Sequence, residues 1–453
     1  FAEWLAAEGK AGLDGEARTA AFYEFLAETQ LKAYQECRDF IRSLGCDALL
    51  NDVNFENNAL TRFVRPHLDY VDNHSYWAVP APIHRHESLP VRSSHLNNLT
   101  VNASMARIMF NSRVFGRPFT VTEFNMPFPH RYRAQSGLTM GAYGALQDWN
   151  GLYRFAYAHT AGNTQQVGPT VWMELTQDPI NMVSERIGIL LFRRGDVQPA
   201  RQAVPLALNS QDVFEVASAG DALEAYSNLG LRHRIGQWDF QNPQAAVPDS
   251  IRCAFGVAES SPLPPAVPYR RLTDEAVAAL RQEGQGDSHW IASDTSEIAL
   301  DPNEGQMTIV TDRSECFALE EGKALDGKLV SVKNRGEFSV VAVSAMDEAK
   351  PIAQAGRLLV CHLTDSSNSA ARFFDEERTI TEEWGTLPHL LRRGAADVTL
   401  RLDPAKMVRA WAITMGGQRQ NEVPVRKTDG GFELTVDTAQ PNGGCLTYEV
   451  VIE

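Results

Sequence analysis

The residues whose type and spacing best suit chemistry gather around Phe119–Asn125 (FTVTEFN). There Glu123 stands at the end of a short β-branched run, just ahead of Met126–Pro129 (MPFP). A carboxylate in that place can serve as nucleophile, base or metal ligand. Upstream, Tyr70–Trp77 (YVDNHSYW) carries His74 and Tyr76 as a His-x-Tyr pair. If the two runs are neighbouring strands, ~5 Å apart, the Tyr76 hydroxyl can reach Glu123, orient it and keep it ionised. Trp77, Trp149 and Tyr157 offer flat apolar faces on which a sugar ring can lie. His74, Asn54, Asn73, Asn125 and His159 offer directional bonds to hydroxyl groups. Carboxylate, phenol, imidazole, amides and indoles together describe a carbohydrate site.

Such a site needs elements to position it. Residues 17–44 read as one helix, with Phe22, Leu26, Thr29, Ala33, Cys37, Ile41 and Leu44 at helical spacing as its apolar stripe and Gly45 as its stop. Asp47–Asn54 reads as a buried strand with a polar tip, followed by the Tyr70–Trp77 strand. Residues 97–113, 132–149 and a segment through Glu185 to Phe192 read as helices around the Phe119 and Gly151 strands. Strand and helix in regular alternation predict a parallel sheet, and polar strand ends at its C-terminal edge are where a β/α barrel builds its site. From about 206 to 295 the texture is mixed, with a proline-rich Pro262–Pro268 and one helix from Asp274 to about Gln282. Beyond it, short alternating strands at Met307–Thr311, Leu329–Val332, Phe338–Val343, Arg357–Leu363, Val398–Leu402, Val408–Thr414, Phe432–Val436 and Leu446–Ile452 predict an antiparallel β-sandwich.

The chain of 453 residues is long enough for two or three domains, and its charge of −15 disfavours nucleic-acid phosphate and anionic membranes as partners. No apolar run approaches the ~20 residues of a membrane span, and Phe1–Leu5 (FAEWL) has neither the basic nor the apolar region of an export signal. The composition fixes neither compartment nor oligomeric state. Six scattered cysteines, with no Cys-x-x-Cys, point to buried apolar roles rather than to a thiolate metal site. A rival metal-dependent hydrolase would use His84, His86 and Glu87 with His95, because His-x-His can chelate zinc; the irregular sequence between them favours a surface loop.

The segments Tyr70–Trp77, Thr122–Pro129 (TEFNMPFP) and Leu146–Tyr157 (LQDWNGLYRFAY) resemble strands six, seven and eight of clan A glycoside hydrolases of the cellulase-like, multidomain bacterial type. The resemblance implies that Glu123 is the nucleophile of a retaining mechanism and that His74 and Tyr76 are the strand-six pair. It also implies a glutamate after an asparagine on strand four as acid/base. In this register Asp47–Asn54 is strand five, so strands one to four and that acid would precede Phe1; Glu56 is the nearest substitute. The expected architecture is α/β plus all-β: the C-terminal half of a (β/α)8 barrel over residues 1–205, a mixed connector over 206–295, and a β-sandwich over 296–453. The expected function is retaining hydrolysis of an oligo- or polysaccharide without a cofactor, and a chain with one of two required carboxyls would not turn over. A non-catalytic carbohydrate-binding or scaffolding protein is the alternative.

Overall fold

The computed structural model describes residues 1–84, 88–207, 220–238, 254–256, 269–271, 275, 278–279 and 289–453. The first part of the chain holds helices α1 (Ala2–Ala7), α2 (Gly15–Ser43) and α3 (Ala59–Val64), and then strand β1 (Val71–Tyr76). In α2 Glu16 sits in the first turn and Arg42 in the last, matching the helix dipole, and Gly45 with φ +81° ends the element. The buried face of α2 is Ala21, Ala27 and Tyr34, whereas Phe22, Thr29, Ala33, Cys37 and Leu44 of the expected stripe face outward. Tertiary anchors set that rotation: Tyr34 packs with Val64 and Leu68, and the Arg42 guanidinium bonds Asp69 at 2.8 Å.

The strand expected over Asp47–Asn54 does not form. Its backbone groups are taken by side chains instead: Arg42 donates to the carbonyls of Cys46 and Ala48, both at 2.7 Å, and Asp69 accepts from the Leu50 N–H at 2.9 Å. A strand needs those groups for a ladder.

Two short strands, β2 (Ala81–Pro82) and β3 (Val91–Arg92), lie in the segment after β1. Helix α4 (Ser104–Phe110), strand β4 (Phe119–Asn125), helix α5 (Gln135–Leu146) and strand β5 (Gly151–Arg154) follow. β1, β4 and β5 form a parallel three-stranded sheet in that order. α5 is buried along its whole length against α7 (Pro179–Leu191), which follows the short α6 (Ala161–Gln165). The close approach depends on glycine: a Cβ at Gly137 would meet the Ser184 carbonyl oxygen at 1.9 Å, and one at Gly141 would meet the Gly188 Cα at 2.7 Å.

A second parallel sheet follows, made of β6 (Ala203–Ala207), β7 (Arg234–Trp238), β8 (Ala254–Gly256) and β9 (Tyr269–Arg271) in the order β7-β6-β8-β9, with α8 (Gly220–Leu229) beside it. Among the described residues the parallel strands thus make two open sheets and not a closed barrel. Pro262–Pro268 and most of Asp274–Gln282 lie outside the described residues.

The C-terminal part is antiparallel. Its nine-stranded sheet places Ser314–Leu319, Ser339–Ala345, Arg357–Leu363, Thr447–Ile452 and Val408–Ile413 side by side. A five-stranded sheet centred on Ala395–Leu400 packs over it. Phe317, Val341, Val360, Val398, Leu434 and Tyr448 fill the layer between, each burial worth about 1.5–3 kcal/mol for the aliphatic side chains. All eight strands read from alternation are present, with ends displaced by no more than three residues.

One excursion from this sandwich matters for the site. Residues 364–392 leave it as an arm of short strands (Ser366–Ser369, Arg372–Phe373, Ile380–Glu383, Thr386–Leu391). The arm pairs Ile380 and Thr381 with Arg92 and Val91 of β3. It is rooted in a buried ionic knot: Arg133 bonds Asp178 at 2.8 Å and also Asp365, which Arg378 holds at 2.7 Å.

Candidate active site

β1 and β4 end together, and the Tyr76 hydroxyl donates a hydrogen bond to Glu123 Oε2. A bulge makes this possible. Asn73 pairs with Val121 but His74 pairs with Glu123, so Thr122 is the extra residue. Bulges re-aim side chains in this way. Asp72 pins this one, accepting from the Thr122 hydroxyl at 2.7 Å and its N–H at 3.2 Å. Burial, and then the bond to Glu123, push the Tyr76 phenol well above the ordinary tyrosine range, so it stays protonated as a donor. Glu123 and Tyr76 are both half-buried, open to solvent on one side.

His74 lies flat against Phe55, with centroids 5.5 Å apart and planes 13° apart, and tilts toward Tyr76 at 5.8 Å. Its Nδ1 has no hydrogen-bond partner among the described residues. Trp77 is half-buried and spends its indole N–H on the Leu96 carbonyl at 2.8 Å, which fixes the ring. Asn54 precedes Phe55 and is half-buried, with no side-chain hydrogen bond to the site among the described residues.

Three expected contacts are corrected. Asn125 is 1% exposed; its amide donates to the carbonyls of Phe155 (2.7 Å) and Met173 (3.1 Å) and its oxygen accepts from Arg154 (3.0 Å), so it clamps the chain rather than a substrate. Asn73 is likewise consumed by Ser112 at 2.7 Å. Trp149 is 5% exposed and packs on Phe110 and Phe119, which makes it core. A residue's type does not say which way it points, and a polar strand end serves the chain as readily as a ligand.

Tyr157 and His159 lie in the segment after β5. Tyr157 is exposed, and His159 is half-exposed with its Nδ1 3.0 Å from Glu174. Phe155 joins them to the pair: it is edge-on to Tyr76 at 6.3 Å and to His159 at 5.5 Å. Sequence reasoning missed Phe155, Phe55, Trp172, Glu174 and the arm. Phe155 follows its strand directly as Trp77 follows the first, which was a usable signal; the others sit in aperiodic segments that give none.

His86 and Glu87 of the histidine cluster lie outside the described residues. His95 serves the chain's own packing, for its Nε2 bonds the Arg378 carbonyl at 3.0 Å and its Nδ1 accepts the Arg131 N–H at 3.2 Å. Among the described residues, no group of three or more His, Cys, Asp or Glu could hold a metal ion, and no helix is long and apolar enough to cross a membrane.

No family model matches the chain, and no curated protein does. A solved structure, the apo exo-carrageenase GH42 from Bacteroides ovatus, is similar over 96% of this chain at a TM-score of 0.35 and 9% identity. This chain spans 56% of that chain's length.

Proposed function

We propose that Glu123 is the nucleophile of a retaining O-glycoside hydrolase acting on an oligo- or polysaccharide, with Tyr76 as its orienting partner. The observation that carries this reading is the hydrogen bond from Tyr76 to Glu123 at the C-terminal ends of two adjacent parallel strands. A Glu123 oxygen attacks the anomeric carbon, the bond to the leaving oxygen breaks, and that oxygen takes the electron pair. Water then hydrolyses the glycosyl ester. His74 and Asn54, both half-buried, would bind hydroxyls, and Trp77 would form part of the floor. The same reading takes residues 1–205 as a partial β/α barrel, 206–295 as connector and 296–453 as sandwich.

The leaving oxygen needs a proton from a second carboxyl ~5 Å from the first. Among the described residues no hydrogen bond or ion pair joins a second carboxyl group to Glu123. Where no acid stands at that distance, the chain is a carbohydrate-binding protein without turnover, which is the second reading. Glu56 is the candidate acid, because the preceding Phe55 stacks on His74, the register partner of Glu123. Hydrolysis of 4-nitrophenyl glycosides separates the readings. An enzyme loses about a thousandfold or more in turnover with Glu123→Gln, and Glu56→Gln slows it if Glu56 is the acid. Saturable sugar binding with no hydrolysis in the unaltered chain supports the second reading.

A further inference from the structure

We propose that the cavity walled by the segment after β5 is a sugar subsite for an uncharged pyranose ring, and that Asn368 of the arm sets its shape. Only its placement beside Glu123 rests on the hydrolase reading. The cavity, of about 460 Å3, falls within the size range of small-ligand sites, and His159, Asn163, Gly168, Trp172, Glu174 and Gln177 line it.

The polar side of the cavity is built. Glu174 is 7% exposed. Its Oε1 accepts from the His159 N–H at 2.9 Å and the Asn163 amide at 2.6 Å, and it pairs with His159 Nδ1 at 3.0 Å. Its Oε2 is buried with no partner among the described residues, a strong acceptor left without a donor. His159 is thereby fixed through Nδ1, and its Nε2, with no hydrogen-bond partner among the described residues, can meet a hydroxyl. Among the described residues, the lining groups that ionise are His159 and Glu174, which pair with each other, and no lysine or arginine lines the cavity. A sulfated or carboxylated sugar would find no counter-charge there.

The apolar side is Trp172, a half-buried indole at φ +47°. Few non-glycine residues hold that conformation unless their surroundings impose it. Here they do. The Phe128 N–H donates to the Trp172 carbonyl at 3.1 Å. Asn368, 2% exposed, accepts the Thr170 N–H at 2.8 Å and donates to the carbonyls of Thr170 (2.8 Å) and Trp384 (2.7 Å). His389 donates to the Gly168 carbonyl at 3.0 Å. The sandwich domain thus grips the cavity wall on the N-terminal side of Trp172. Phe155 stands between the cavity's His159, at 5.5 Å, and Tyr76 of the Glu123 pair, at 6.3 Å.

The test titrates the full chain with the methyl glycosides of glucose, galactose and mannose and, in parallel, with glucuronate, following tryptophan fluorescence and amide hydrogen exchange. The expected result is saturable binding of a neutral glycoside, with protection confined to residues 155–178. Trp172→Ala weakens it about tenfold, as loss of an aromatic platform should, and Trp172→Phe falls between. Asn368→Ala weakens binding and speeds exchange within 155–178 while the sandwich strands keep their protection. Three results overturn the proposal: no saturable binding up to about 100 mM, binding indifferent to Trp172→Ala, or tighter binding of glucuronate. An Asn368→Ala variant with unchanged binding and exchange removes Asn368 from it. Turnover lost in Glu123→Gln bears on the nucleophile alone, because this binding is read without hydrolysis.

Discussion

Two buried arginine clusters show how differently the molecule treats its two sides. At the junction with the sandwich, Arg133 is fully buried and bonded to Asp178, Asp365 and Ser366. Burial alone would lower its pKa, and the two aspartates more than reverse that. Beside β1, Arg62 and Arg65 are 3% and 1% exposed and make no ion pair with a carboxylate among the described residues. Burial pulls Arg62 down to about 10; burial, with repulsion from Arg62 and against a smaller opposing pull from Asp72, brings Arg65 to about 9. Arg65 relies on the Glu56 carbonyl and the Asn57 side chain. The junction is electrostatically closed. The flank of β1 is not, and it is the flank that carries Glu56 and Phe55.

Unequal mutational costs should follow. Arg133→Met leaves the buried Asp178 without a cation and Asp365 with Arg378 as its near partner, and should cost roughly 3–5 kcal/mol in chemical or thermal unfolding. A loss below about 1 kcal/mol would show that the junction is wetter than its geometry implies.

The next effect is pH-dependent. His362 lies fully buried in the nine-stranded sheet with no hydrogen-bond partner for either ring nitrogen among the described residues, and burial lowers it to about 4. An unfolded histidine titrates near 6.5. Its stabilising contribution is therefore complete above that value and falls as pH drops toward 4, where the unfolded chain takes a proton that the native state refuses; the full loss is about 3 kcal/mol. Stability measured against pH should flatten across that window in His362→Leu.

The smallest change belongs to the β1 flank. Arg65→Met should lie within about 1 kcal/mol of the parent chain or stabilise it, since it removes a buried charge that makes no ion pair among the described residues and feels Asp72 only as a lesser influence. A cost matching that of Arg133→Met would mean that Asp72 compensates Arg65 as closely as Asp178 and Asp365 compensate Arg133.

The sandwich was the most legible part of the sequence, because period-2 alternation survives wherever a strand has one core face and one outer face; Ala395–Leu400 shows it plainly. β1, β4 and the Tyr76–Glu123 contact were legible for a related reason: strand ends place polar residues in order, and parallel neighbours bring them together. Asp47–Asn54 misled because its composition suits a strand while Arg42 and Asp69 claim its backbone. The β6 sheet hid in a stretch of strands as short as the three residues of Ala254–Gly256, too brief for any period. The arm hid because Asp365, Asn368 and Arg378 look like ordinary surface residues; only the fold buries Asp365 and Asn368 against loops more than 180 residues upstream.

The central claim is that Glu123 is a nucleophile, and a substrate that needs no proton donor tests it most directly. A 2,4-dinitrophenyl 2-deoxy-2-fluoroglycoside expels a stable phenolate unaided, and its fluorine slows release of the glycosyl ester. Glu123 can then be trapped whether or not a second carboxyl is in reach. Incubating the chain with a set of such glycosides and mapping the digested protein by mass spectrometry should place one fluoroglycosyl group on Glu123, with none on the Glu123→Gln variant. A label on another carboxylate, or no label from any sugar in the set, would contradict the account.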